Sequence, residues 1–155
     1  MTTLPIDFAL HWITIMTTTV LPQENFQMDN YSVQHDIARR LHAALTARDW
    51  SALRALLTDD AEWTLPGNNT VSGTANGADA VVDLGRKIAS YGLNFELLHI
   101  LVSRDNMALS LHNTAQQGDR VLNEHLATVC RLKDGKIAAI ETFLSDVDGM
   151  NAFFI

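Results

Sequence analysis

Two long strand-forming runs joined by a two-residue turn constrain this chain more than any other feature. Residues 107–117 (MALSLHNTAQQ) and 120–132 (RVLNEHLATVCRL) both read as strands, and Gly118-Asp119 between them is a hairpin signal. A two-residue loop pairs Gln117 with Arg120, and the ladder then sets His112 opposite His125. Directly opposite side chains have Cβ atoms about 5 Å apart. Thr114 faces Asn123 and Ser110 faces Ala127 on the same surface. The other surface carries Leu109, Leu111, Ala115, Leu122 and Leu126. If the polar surface meets solvent, as one face of an antiparallel sheet commonly does, the histidines are ordinary surface residues. If it lines a cavity, they form an acid–base pair poised near neutral pH.

The rest of the chain supplies helices before the strands. Residues 33–48 place Val33, Ile37, Leu41, Ala44 and Leu45 on one helical stripe. Asp49 and Ser51 are cap-type residues that open a short second helix through Leu57. Residues 61–65 read as a short strand stopped by Pro66-Gly67, and the turn-rich stretch 66–77 reads as a loop. Residues 78–91 form a third helix with Ala80, Val81, Leu84 and Ile88 inward. Four long strands follow, at 93–104, 106–117, 120–133 and 136–146. Helices first and an antiparallel meander second make the class α+β.

The first 27 residues differ. They contain no Lys or Arg, and Asp7 and His11 interrupt their apolar run. A secretory signal needs a positive start and an unbroken apolar core, and a spanning helix needs about 20 mostly apolar residues. Residues 1–28 are therefore read as an N-terminal extension, with Met16 and Met28 as alternative starts, and residues 29–155 as the domain proper. The net charge of −7, with no basic cluster, argues against nucleic acid and anionic membranes as partners. A single cysteine, Cys130, excludes a disulfide framework and suits the cytoplasm.

The segments LHAALTARDWSALRALLTDDAEWTLPG (41–67), VSGTANGADAV (71–81) and CRLKDGKIAAIETFLSD (130–146) resemble the nuclear transport factor 2 superfamily. The resemblance is to its SnoaL-like and ketosteroid-isomerase-like branch and covers roughly residues 30–146. It implies a cone-shaped, curved antiparallel sheet wrapped around three N-terminal helices, with a pocket inside and a homodimer formed on the outer sheet face.

Positional matching to that family places the isomerase's oxyanion-binding tyrosine on Leu41, its general-base aspartate on Leu65 and its protonated aspartate on Ala127. None of the three groups is present, so steroid isomerisation by that mechanism is not expected. The same matching puts Ser110, His112, Thr114, Asn123, His125, Ala127 and Val129 on the inner face and the leucine-rich surface outside. His112 and His125 are then the expected catalytic residues. Asn123, Thr114, Ser110, Trp63, Leu65, Leu41 and Val129 are the expected substrate-binding residues. Glu124 and Glu141 fall on the opposite parity and are assigned to surface or interface. His35 and His42 are read as solvated, His99 as structural, and Asp146 as a polar residue ending the last strand or lying near the cone's mouth. His112 and His125 lack a third ligand, so no metal is expected, and no cofactor motif appears. The tail 149–155 (GMNAFFI) is apolar and reads as closing the cone or crossing to another subunit.

The resulting expectation is a pocket protein for a small hydrophobic, carbonyl-bearing molecule. It would be a cofactor-independent acid–base enzyme: a cyclase, dehydratase or isomerase. The alternative is a non-catalytic binding or accessory protein of the same fold. A pocket with both imidazoles outside would favour the alternative.

Overall fold

The computed structural model describes residues 23–155, with side chains described from Tyr31 onward. Most of the expected N-terminal extension, residues 1–22, lies outside the described residues. Four helices and six strands follow in the order α1 (Gln23–Ala47), α2 (Trp50–Leu56), β1 (Leu57–Leu65), β2 (Gly73–Asn76), α3 (Ala78–Ser90), β3 (Asn94–Val102), β4 (Asn106–Gln117), β5 (Arg120–Lys133), β6 (Lys136–Leu144) and α4 (Val147–Phe153). The strands form one curved sheet in the order β2-β1-β6-β5-β4-β3. Every neighbouring pair is antiparallel except β1 with β6. The α+β class and the cone-like sheet around N-terminal helices are as expected. The loop at 66–77 contains β2, a four-residue edge strand that turn-rich composition concealed.

Local chemistry explains the boundaries. The Asp49 side chain accepts a hydrogen bond from Ala52 N and so caps α2. Gly118 has φ +59°, the value a II′ hairpin turn asks of its first central residue. Asp134 and Gly135 both have positive φ, so the β5–β6 turn is of the I′ kind. The β4–β5 register is as read from the sequence, with Gln117 opposite Arg120 and His112 opposite His125.

The facing of that hairpin is the reverse of the expectation. Met107, Leu109, Leu111 and Asn113 of β4, with Leu122, Glu124, Thr128 and Cys130 of β5, are buried against the helices. Ser110, His112 and Thr114 are half-buried on the other face, and Asn123 and His125 are exposed there. Fully burying each leucine is worth about 1.5–3 kcal/mol, and no arrangement of hydroxyls and imidazoles offsets three of them. The leucine-rich surface is therefore the inside.

The core joins this face to Ile37, Ala38, Leu41, Ala44 and Leu45 of α1 and to Val81, Val82, Ile88 and Ala89 of α3. Val33, expected on the inner stripe, is 51% exposed, and Gln34 is buried instead. The Gln34 Nε2 donates to the carbonyls of Ser103 and Arg104, tying α1 to the β3–β4 turn. Ala80 and Leu84, expected inward on α3, are only half-buried, and Val82 and Gly85 take the inner positions.

The tail closes the open end. Phe153 and Phe154 are 1% and 0% exposed and pack on Tyr91 and each other. Asp146 does more than end β6: its side chain accepts from Gly149 N and caps α4. The Asn151 Oδ1 accepts from Asn68 N (2.7 Å) and Asn69 Nδ2 (2.9 Å). A Cβ built on Gly67 would lie 2.6 Å from that oxygen, so the loop can approach α4 this closely only as glycine.

Candidate functional site

A pocket sits between the inner sheet face, α1, α3 and the tail. Its floor is Leu109, Leu111, Leu126 and Ile140; Leu41, Leu45, Ile88 and Phe95 form the walls; Met150 and Phe154 cover it. Free volume inside is about 40 Å³, room for a few water molecules. A larger guest would need Met150 and Phe154 to move. Leu41, Leu65 and Trp63, three of the expected binding residues, do line this pocket.

The polar groups of the lining are few. Trp63 Nε1–H donates to Thr142 Oγ1 at 3.0 Å, which satisfies the indole in an apolar wall. Thr128 lies opposite Thr142 across the β5–β6 ladder. His42 Nε2 lies 2.7 Å from the carbonyl oxygen of Phe95, so that nitrogen carries the proton and donates. Asn113 is 7% exposed, and its Oδ1 is buried without a hydrogen-bond partner. Phe95, Asn113 and Glu124 are consecutive cross-strand partners on the inner face. His42 and Asn113 thus both line the chamber beside the Phe95 strand position, whereas Glu124 does not line it. Among the described residues, no Asp, Glu, Lys or Arg side chain lines the pocket itself, and His42 is its one titratable group.

Glu124 corrects a second expectation. It is 1% exposed rather than at the surface. Its Oε1 accepts from Ser145 N (2.6 Å), Ser145 Oγ (3.0 Å) and Asp146 N (3.1 Å). A buried carboxylate thereby fixes the passage from β6 into α4. His42 and His35 are likewise half-buried rather than solvated, and His35 Nδ1 is buried without a partner.

The histidine pair exists, on the outer face. The His112 and His125 rings stack with centroids 4.4 Å apart and planes 9° from parallel. His112 Nδ1 is 3.1 Å from Glu96 Oε2, and its Nε2 is 2.6 Å from Asn123 Oδ1. Both acceptors hold a ring N–H, and together, Asn123 first and then Glu96, they raise the His112 pKa above the ordinary 6.5. Ser110, Thr114, Asn123, Ala127 and Val129 share that outer face. None of the seven residues expected around a pocket on this surface lines the pocket, so they cannot act together with Leu41, Leu65 and Trp63. Ala127 is outside too, and its inward neighbours Leu126 and Thr128 are not acids. Cys130 is fully buried, and burial pushes its thiol up to about 12.

Parity was the signal that could have found the real lining. Asn113, Thr128 and Thr142 sit in register with leucines rather than with histidines. His42 follows Leu41 on α1 at the edge of the apolar stripe. No local motif marks it.

Comparison with known proteins agrees with this architecture. A SnoaL-like domain family matches residues 38–140. No curated protein matches the sequence. Among solved structures, Bal32a from a soil-derived mobile gene cassette superposes with TM-score 0.77 at 24% identity, over 80% of this chain and 98% of that one. A Xanthomonas campestris protein of unknown function with a cystatin-like fold gives 0.71 at 27% identity, over 78% and 97%. An NTF2-like protein of Burkholderia xenovorans LB400 gives 0.69 at 19%, over 80% and 97%. More distant matches carry the names SnoaL-like polyketide cyclase (Jannaschia) and ketosteroid isomerase (Kribbella flavida), at 15% and 19% identity, and share the fold alone. The chain belongs to the SnoaL-like domain family, and its fold is that of the nuclear transport factor 2-like proteins.

Proposed function

We propose that this protein binds a small, largely apolar molecule in the pocket beneath Met150 and Phe154. The observation that carries this reading is the lining: a leucine-rich chamber without a charged side chain among the described residues. Ligand sites are characteristically apolar with a few placed polar groups, and here those are Asn113, Thr128, Thr142 and His42. The uncharged fluorophore N-phenyl-1-naphthylamine tests it. Wild type should enhance its emission, and Leu126→Trp, which fills the chamber, should abolish the enhancement. Equal enhancement by both proteins would place the dye elsewhere and defeat the reading.

A second reading, cofactor-independent acid–base catalysis on a carbonyl compound, rests on His42. The Phe95 carbonyl fixes its ring through Nε2, which leaves Nδ1 as a potential base. Its test is deuterium exchange at the α-carbon of cyclohexanone in heavy water. A general base is worth about 10²–10⁴-fold, so His42→Gln should lose exchange by that factor. Exchange no faster than buffer in wild type leaves the binding reading alone. Steroid isomerisation is not proposed: Leu41 and Leu65 stand in the pocket where that chemistry needs a phenol and a carboxylate.

A further inference from the structure

We infer that the ligand of this pocket is uncharged and presents a hydrogen-bond donor to Asn113; the inference rests on the pocket reading above. Among the described residues, Asn113 is the one residue of the lining that is both nine-tenths buried and holds an oxygen with no partner. Buried polar groups are almost always paired, and of the four buried side-chain atoms without a partner among the described residues only Asn113 Oδ1 belongs to the pocket lining, where a bound guest can supply one. The surroundings offer none. Its cross-strand neighbour Glu124 spends Oε1 on Ser145 and Asp146, and carboxylates do not donate. His42 spends its Nε2 proton on Phe95. Its other cross-strand neighbour, Phe95, is apolar. A donor on the guest completes the amide, whereas an acceptor on the guest meets a bare oxygen.

Charge is excluded by the same inventory. Among the described residues, no side chain in the lining carries a fixed charge to pair with a carboxylate or an ammonium, and an unpaired ion in such a chamber is strongly disfavoured. The class is therefore a compact apolar molecule bearing a hydroxyl or an N–H. A site shaped for such a group discriminates against the analogue that lacks it, because its own acceptor is left unpaired.

The test uses phenol, toluene and benzoate, which differ little in shape, on the full chain by NMR titration. Phenol and toluene partition differently from water, so the reading is the phenol-to-toluene affinity ratio and its change on mutation. Asn113→Leu should lower that ratio about tenfold, the equivalent of about 1.4 kcal/mol. Asn113→Ala removes the same oxygen without adding bulk and should lower the ratio likewise, which keeps the test readable if leucine overpacks. Benzoate should not bind. A ratio unchanged in both variants, or benzoate binding at least as tightly as phenol, overturns the donor inference while leaving the pocket reading intact. Failure of wild type to bind either phenol or toluene up to their solubility overturns the pocket reading, and the inference with it.

Discussion

Replacing Glu124 by alanine should destabilise the protein by about 3–5 kcal/mol. One buried carboxylate oxygen accepts three hydrogen bonds, two of them from the backbone N–H groups of Ser145 and Asp146. A hydrogen bond to a charged group contributes about 1.5–3 kcal/mol. Three such values cannot simply be added, because they share one acceptor and Ser145 can regain water at the surface. The sum, about 4.5–9 kcal/mol, is therefore an upper bound, and the loss of about 3–5 kcal/mol on removing one partner of a buried ion pair is the reasonable magnitude. At roughly 3 °C per kcal/mol for a domain of this size, the melting temperature should fall by about 10–15 °C. Glu124→Gln keeps a carbonyl acceptor and should lose about half as much. Glu141→Ala, on the exposed outer face of β6, should change stability by no more than about 0.5 kcal/mol. The assay is urea denaturation followed by far-UV circular dichroism. Because Glu124 fixes the start of α4, limited proteolysis of the alanine variant should also cut first between residues 145 and 155. A loss under about 1 kcal/mol, or Glu124→Gln as damaging as Glu124→Ala, would refute the three-bond account.

Phe154→Ala removes a fully buried ring from the pocket cover and should cost about 3–5 kcal/mol while accelerating dye entry in stopped-flow measurements. His112 holds its proton more tightly folded than unfolded. Its contribution to stability is therefore fully present below about pH 6.5 and lost as pH rises through the higher folded value. Asn123→Ala should move the imidazole titration, read by NMR, part of the way back toward 6.5 and weaken that pH dependence, Glu96 holding the remainder; an unmoved titration would discount the Asn123 contact. Cys130, its thiol pushed up to about 12, should resist Ellman's reagent at pH 8 until the protein is unfolded. We propose assembly as a homodimer through the outer sheet face, where Val121 and Phe143 are 66% and 51% exposed; light scattering should give twice 17.2 kDa, and a monomer at micromolar concentration would contradict it.

Local signals in the sequence determined a great deal. Gly118-Asp119 and Asp134-Gly135 set both hairpin turns and with them the register that brings His112 beside His125, because backbone conformation at a two-residue turn leaves few pairings open. Apolar periodicity located the first and third helices and the cap-type residues Asp49 and Ser51 the second, and the segments at 41–67, 71–81 and 130–146 carried the family resemblance. Leu41 and Leu65 were legible as pocket residues through the positional match to the family, and Trp63 because it shares Leu65's side of the short strand. β2 and α4 were not legible: a four-residue edge strand and a seven-residue helix exist through their partners, Thr64–Thr74 pairing and the burial of Phe153, more than through their own propensities.

What tertiary structure alone decided is the facing of the β4–β5 hairpin. Alternation divides the strands into two sets but does not say which set lies beneath the helices, and reversing the choice moves every side chain at once. The leucines went inward because burial of apolar area outweighs any local preference of histidine, threonine or asparagine for a cavity. That one outcome took His112 and His125 out of the pocket and put Asn113, Thr128 and Glu124 on the inner face. The role of His42 depended on it as well, since the ring is set by the Phe95 carbonyl, fifty-three residues away in sequence.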